Sequence, residues 1–246
     1  MVCYLDWNAD VFSDMKAHKI LVIGTLALWP FRSISQPLYD RNQAVSYSKS
    51  ILVRDKGKPG YYFNGYRLEF RNAGNNKSSL VLLYKTRVIQ HFFSAGLNLN
   101  QMPRFALVAD LNGDGIKDLK ISIPSNGASP IAREASFKIY LLSKNQKKFS
   151  KLSFFDCSSE VERDMDSDGR YEIFSRELYS YKGHSYWKHE IYSIVGNSLS
   201  NVSLKYNHPI LLRFNMPAKS TVPLIPDSGE RKRLCSELPQ QFDLEQ

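Results

Sequence analysis

An acidic motif occurs twice in this chain, as DLNGDGIKD at residues 110–118 and as DMDSDGRYE at residues 164–172. Both segments follow the pattern D-x-[DN]-x-D-G-x-x-[DE], in which oxygen-bearing side chains alternate along a short loop. Such a loop delivers most of the six to eight oxygen ligands that Ca²⁺ takes. The predicted side-chain ligands are Asp110, Asn112, Asp114 and Asp118 in the first loop and Asp164, Asp166, Asp168 and Glu172 in the second.

The other positions of the motif fit the same chemistry. Position 7 would supply a backbone carbonyl, from Ile116 and from Arg170. The glycine at position 6 permits the positive-φ turn that wraps a chain around an ion. Mg²⁺ is disfavoured, because it rarely occupies all-protein cages. The sequence therefore predicts two Ca²⁺ sites, and the alternative is a pair of turns rich in Asp and Gly that hold no ion.

Short apolar or alternating runs, separated by turns, surround these loops and indicate an all-β chain. Examples are SLVLLYKTRVIQHFF at 79–93 and YWKHEIYSIV at 186–195. An EF-hand is not expected, because its flanking elements would be helices. The segments 139–152 and 191–204 also match each other in register. We therefore predict repeated four-stranded antiparallel units of about 50 residues, propeller-like, with calcium loops between strands.

The segments ADLNGDGIKDLKISI and ERDMDSDGRYEIFS resemble the FG-GAP/VCBS-type repeat, a calcium-binding β-propeller repeat. The resemblance covers roughly residues 104–206. It implies that each loop joins two strands of one blade and that the ion has a structural role. Small exported bacterial proteins of similar design include periplasmic inhibitors of cell-wall hydrolases, and the resemblance extends to that group.

The N-terminal region has the pattern of a leader sequence for export. A basic segment at Met15, the apolar run ILVIGTLALWPF and small residues near Ser35 have the order of a signal peptide. The alternative is a membrane anchor, but a span needs about 20 apolar residues and Pro30 interrupts this run. We predict a secreted or periplasmic protein with no integral membrane span. The predicted regions are a leader at 1–35 (a mis-annotated start at 1–14 and the signal peptide at 15–35), a β-repeat domain at 36–216 and an extended C-terminal tail at 217–246.

The two cysteines beyond the leader raise the question of a disulfide. An exported protein meets an oxidising compartment, in which Cys157 and Cys235 would form one bond. Two unpaired thiols are the alternative.

The net charge and one aromatic-rich segment indicate which class of macromolecule this protein would bind. The formal net charge is +9, which favours an anionic macromolecule or an envelope protein. No nucleic-acid recognition motif is present, and export argues against nucleic acid. The hairpin segment at 178–192 offers a candidate partner face formed by Tyr181, Tyr186, Trp187 and His189, or it is an ordinary aromatic hairpin.

Sequence motifs for catalysis are absent. The chain has no G-x-S-x-G, no H-E-x-x-H, no P-loop and no dinucleotide-binding fingerprint. His184 and His189 are five residues apart, a spacing that does not place them on one face of a strand. We therefore predict an exported, non-catalytic, calcium-stabilised β-repeat binding module, of which an inhibitor or immunity protein of a cell-wall hydrolase is one form. The alternative is a secreted hydrolase of a similar fold.

Overall fold

The fold is all-β, as the sequence predicts. A computed structural model describes residues 44–55, 58–72, 77–95, 102–125, 129, 134–145, 147–196, 198–214, 222–239 and 242–245. The predicted leader lies outside the described residues. The strands are β1 (Ser48–Asp55), β2 (Lys58–Phe63), β3 (Tyr66–Asn72), β4 (Lys77–Tyr84), β5 (Arg87–Ala95), β6 (Phe105–Ala109), β7 (Asp118–Pro124), β8 (Ser136–Asn145), β9 (Lys148–Asp156), β10 (Ile173–Tyr181), β11 (His184–Val195), β12 (Ser198–Asn201), β13 (Ile210–Arg213) and β14 (Asp243–Glu245).

Two antiparallel sheets contain these strands. One has ten strands in the order β14-β9-β8-β7-β6-β1-β2-β3-β4-β5, and the other has β11 paired with β10, β12 and β13. The large sheet curls until its ends approach each other. The Gln90 amide of β5 donates to the carbonyl of Phe149 of β9 at 2.8 Å and accepts from the same residue's N–H at 3.0 Å. The large sheet is therefore a nearly closed barrel.

The barrel encloses the first hydrophobic core. Side chains alternate along a strand, so every second residue points inward. Leu68, Leu82 and Phe92 come from one side of the barrel, and Leu119 and Ile121 come from the other. All five are buried, which fixes the register of the strands because a one-residue slip would expose them.

A second core lies on the outside of the barrel wall. In β8, Ile139 belongs to the barrel core, whereas Tyr140 and Leu142 belong to a cluster that also contains Ile173 and Tyr192 of the four-stranded sheet. The middle of β8 is therefore buried on both faces, as its continuous apolar run indicates. The four-stranded sheet is packed on the barrel through this second core.

The two acidic loops precede equivalent sets of strands. The first loop is followed by the antiparallel series β7-β8-β9 and the second by β10-β11-β12. The first series is not a separate four-stranded blade in the described chain, however. Strand β1 pairs with both β2 and β6 and joins that series to β2–β5 in the ten-stranded sheet. The repeat in the sequence thus reflects a repeated strand order, while long-range pairing joins the first series to other strands and leaves the second in a separate sheet.

The C-terminal region differs from the predicted extended tail. It contains a helix, α1 (Ser228–Cys235), and the edge strand β14 paired with β9. The Asp227 side chain caps the helix by accepting from the Glu230 N–H, and Leu234 is fully buried. The capping residue and the buried leucine are local features, but the surrounding Pro and charged residues make the helix hard to recognise in the sequence.

Among the described residues no helix has the length and apolarity needed to cross a membrane.

Candidate calcium-binding loops

The two acidic loops have positive φ angles at the same two positions. The first joins β6 to β7, and the second joins Arg163, which bridges to Glu172, to β10. Position 4 has a positive φ in both loops, +71° in Gly113 and +61° in Ser167. Position 6 has a φ of +82° in both Gly115 and Gly169. The glycines at position 6 are therefore required by the conformation, as the motif predicts.

Equivalent hydrogen bonds hold the two loops. In each, the carboxylate at position 1 accepts from the backbone N–H groups of positions 5 and 6, and the carboxylate at position 9 accepts from the N–H of position 2. The first loop has Asp110 with Asp114 at 3.2 Å and with Gly115 at 2.8 Å, and Asp118 with Leu111 at 2.8 Å. The second has Asp164 with Asp168 and Gly169, both at 3.0 Å, and Glu172 with Met165 at 2.9 Å.

The second loop brings three predicted ligands together. One carboxylate oxygen each from Asp164, Asp166 and Glu172 lies within 4.8 Å of the other two. The Lys205 ammonium is paired with Asp166, so a cation of higher charge would have to replace it. The fourth predicted side chain, Asp168, lies 3.9 Å from the Arg170 guanidinium. An all-oxygen donor set of this kind fits Ca²⁺.

The first loop is less convergent. The Asn112 amide nitrogen donates to Asp114 at 3.2 Å and to the Ser143 carbonyl at 3.3 Å. Both carboxylate oxygens of Asp118 accept backbone hydrogen bonds, from Leu111 and from Ser143, each at 2.8 Å. Within the part of the chain that the structure describes, its carboxylates do not form a group of three like that of the second loop.

Burial makes the carboxylates at position 9 costly to ionise. Desolvation raises the pKa of Asp118 to about 7, against the lowering effect of its two backbone hydrogen bonds and with a further rise from the charges of Asp114 and Asp110. Burial also raises the pKa of Glu172. A divalent cation beside these groups would favour their ionised forms.

The two loops touch each other. The Tyr171 N–H donates to the Leu111 carbonyl at 3.1 Å. A Cβ on Gly113 would lie only 3.0 Å from the carbonyl oxygen of Gly169. Leu111 is fully buried in the second core. The loops therefore form one unit at the junction of the two sheets, which the spacing of the motifs does not reveal.

The predicted partner face is divided between the two sides of a sheet. Cross-strand pairing places Tyr181 and Tyr186 on one face of the β10–β11 hairpin, with ring centroids 6.3 Å apart. Trp187 and His189 lie on the other face, where the Arg176 guanidinium is 4.7 Å from the Trp187 ring centroid. These four residues do not form one surface, because their positions on β10 and β11 alternate in orientation.

The chemistry of His189 and of the cysteines is also decided by packing. Burial, together with the charges of Arg176 and His208, lowers the pKa of His189 to about 3, so its imidazole is neutral at neutral pH.

The predicted disulfide is not formed: Cys157 and Cys235 are both free. Cys157 follows β9, where its N–H donates to the Arg176 carbonyl, whereas Cys235 ends α1.

A cationic cavity lies near the first loop and was not predicted. It has a volume of about 750 Å³ and is lined by Lys85, Arg87 and Lys147, with Ile116 of the first loop in its wall. The sequence contains the signal in part, since Lys85 and Arg87 interrupt the apolar run 79–93 and Lys147 lies in a basic stretch. It does not reveal that these residues meet.

No protein-family model, curated protein or solved structure matches this chain.

Proposed function

We propose that this protein is an exported, non-catalytic binding module whose β-fold is stabilised by Ca²⁺ in the two acidic loops. The observation that carries the proposal is the equivalence of the loops in backbone conformation and hydrogen bonding, together with the three converging carboxylates of the second loop. Hydrogen bonds alone explain a pair of turns. They do not explain why three carboxylates converge in the second loop.

Charge repulsion supports the assignment of a cation. The first loop carries three carboxylates at residues 110–118, and the second carries four at residues 164–172. Like charges at such distances destabilise the fold, and one Ca²⁺ in each loop would remove most of this repulsion. Calcium sites in extracellular modules have dissociation constants of about 10⁻⁴–10⁻³ M. At millimolar Ca²⁺ the tighter limit corresponds to roughly 1.4 kcal/mol of stabilisation per site.

The proposal includes the FG-GAP/VCBS-type character of the repeat and a macromolecular partner. The loop motif, the strand order that follows each loop and the basic composition support it. The proposed partner is an anionic macromolecule of the cell envelope, and inhibition of a cell-wall hydrolase is the narrower form of this function. Residues 15–35 would direct export.

The calcium sites are tested by titrating the EDTA-treated, desalted protein with Ca²⁺ in a calorimeter and by measuring its melting temperature. We expect two sites and a rise in melting temperature. Asp164→Asn combined with Asp166→Asn should remove one site, whereas the matched control Glu160→Gln, just outside the loop, should keep both. Absence of heat and of any melting shift at 5 mM Ca²⁺ in the unaltered protein would refute the proposal.

The partner class needs a separate experiment. Binding to immobilised dextran sulfate is compared with binding to neutral dextran at 0.15 M salt, with Ca²⁺ or with EDTA. We expect retention on the anionic polymer only, and stronger retention with Ca²⁺, since bound ions add positive charge. Equal retention on both polymers, or on neither, would argue against an anionic partner.

A further inference from the structure

The cationic cavity lies at one end of the barrel. Because the strands are antiparallel, the β2–β3, β4–β5 and β8–β9 turns and the first acidic loop all meet at this end. Lys85 belongs to the β4–β5 turn and Arg87 begins β5, while Lys147 belongs to the β8–β9 turn. The mouths of β-barrels are frequent ligand sites. The volume of about 750 Å³ would accept a small molecule.

The electrostatics of the cavity favour an anion. Lys85, Arg87 and Lys147 line it, and no carboxylate does so among the described residues. Within the described chain none of these three cations forms an ion pair with a carboxylate, whereas many other basic side chains do. Three cations around one concave space repel one another, and a bound anion would remove that repulsion. Arg87 adds a planar fork that suits phosphate or carboxylate.

The remaining walls fit a sugar rather than a bare ion. The rings of Tyr66 and Tyr84 have their centroids 5.1 Å apart, and Tyr84 is 44% exposed. An exposed tyrosine ring packs well against the apolar face of a saccharide. Asn64 and Thr86 add neutral groups that can donate to and accept from hydroxyls.

We propose that this cavity binds a saccharide carrying a phosphate or carboxylate group. The anionic group would lie among Lys85, Arg87 and Lys147, and the sugar ring would pack against Tyr84. This site is distinct from the calcium sites of the proposed function. Its nearest link to them is Ile116, which lines the cavity and occupies position 7 of the first loop.

The site is tested on the full chain by calorimetry at 0.15 M salt, with glucose 6-phosphate and glucuronate as probes and with glucose and inorganic phosphate as controls. We expect at least one anionic sugar to bind at least tenfold more tightly than either control. The two anionic probes distinguish a phosphate ligand from a carboxylate ligand. If neither binds, or if glucose or inorganic phosphate binds as tightly as both, the proposal is wrong.

The chain provides a closely matched pair of variants. Lys85 and Lys182 both occupy hairpin turns with positive φ, at +55° and +47°, and both lie over the ring of the preceding tyrosine. Lys85→Glu should weaken binding at least tenfold, whereas Lys182→Glu, which makes the same change in net charge, should leave it within twofold. Equal losses in the two variants would show that net charge, not the cavity, attracts the probe.

A further variant keeps the test independent of folding and of calcium. Arg87→Gln should weaken binding of the anionic sugar at least fivefold while its melting temperature and its calcium titration remain those of the unaltered protein. Unchanged affinity in this variant would exclude the cavity as the anion site. Failure of this proposal would leave the calcium titration, and therefore the proposed function, unaffected.

Discussion

At the scale of single residues, a buried ion pair anchors the segment that leads into the second loop. The Lys120 ammonium lies 2.6 and 2.8 Å from the two carboxylate oxygens of Glu162, and Tyr140 donates to the same carboxylate at 2.6 Å. Both charged side chains are almost fully buried. Burial raises the pKa of Glu162, but the charges of Lys120 and Lys138 and the hydrogen bonds of Lys120 and Tyr140 lower it to about 2.

We predict that Glu162→Gln lowers the free energy of unfolding by about 3–5 kcal/mol, because the Lys120 ammonium would remain buried without its counter-charge. The double variant Lys120→Met with Glu162→Leu should recover much of this loss, because two apolar side chains leave no unpaired charge buried. Urea unfolding of the unaltered protein and of these two variants measures both effects. A loss below 1 kcal/mol in Glu162→Gln would mean that the pair is solvated.

His189 gives the stability a dependence on pH. Its pKa of about 3 in the folded protein lies below the value of about 6.5 for an unfolded histidine, so the unfolded state binds more protons between these values. The free energy of unfolding should therefore fall as the pH is lowered from 6.5 towards 3, by up to about 1.4 kcal/mol per pH unit from this group. His189→Gln should flatten this slope in urea unfolding at several pH values. His184→Gln, on the exposed end of the same hairpin, is the control, and an unchanged slope in His189→Gln would contradict the prediction.

At the scale of elements, the contact between the acidic loops is the feature most open to a direct test. Gly113 has a φ of +71° and lies against Gly169, whereas Gly183 has a φ of +76° and no atom within 4 Å of its hypothetical Cβ. Alanine at either position would have to adopt the left-handed backbone conformation, which costs about 1–2 kcal/mol. Only Gly113→Ala also pushes the loops apart, and such overpacking costs typically about 1–3 kcal/mol. We predict that Gly113→Ala lowers the free energy of unfolding by at least 1 kcal/mol more than Gly183→Ala does, and equal losses would show that the loops separate freely.

At the scale of the whole molecule, the last strand closes the barrel. Strand β14 pairs with β9, and the Glu245 carboxylate accepts from the Phe93 N–H of β5 at 2.9 Å. The fully buried Lys151 ammonium lies 2.7 Å from Asp243 and 2.9 Å from Glu245. Strand β14 thus links β9 to β5 and neutralises the buried charge of Lys151.

We predict that ending the chain after Pro239 lowers the free energy of unfolding by on the order of 3 kcal/mol, because Lys151 loses both carboxylates. Lys151→Met should destabilise the full chain but should stabilise the shortened one, since the unpaired charge is the main cost. Denaturant unfolding of these four proteins tests the prediction. If Lys151→Met destabilised both backgrounds equally, β14 would not act through this lysine.

Features that depend on neighbouring residues can be predicted from the amino-acid sequence alone. Alternation with a period of two identifies strands, and the acidic loops require glycine at position 6 to reach a positive φ, so the all-β class and the conformation of Gly115 and Gly169 follow from local pattern. Carboxylates at alternate loop positions likewise specify a candidate oxygen site before any fold is known.

How these elements combine depends instead on long-range contacts in the folded chain. The pairing of β1 with both β2 and β6, the contact of Gly113 with Gly169 and the meeting of Lys85 with Lys147 all join segments far apart in the chain. Such pairings depend on which apolar faces bury each other, and a strand's own pattern shows that it has such a face without showing its partner. For this reason the sequence predicts the loops and strands of this protein. The ten-stranded sheet, the pairing of β14 with β9 and the cationic cavity arise from long-range packing.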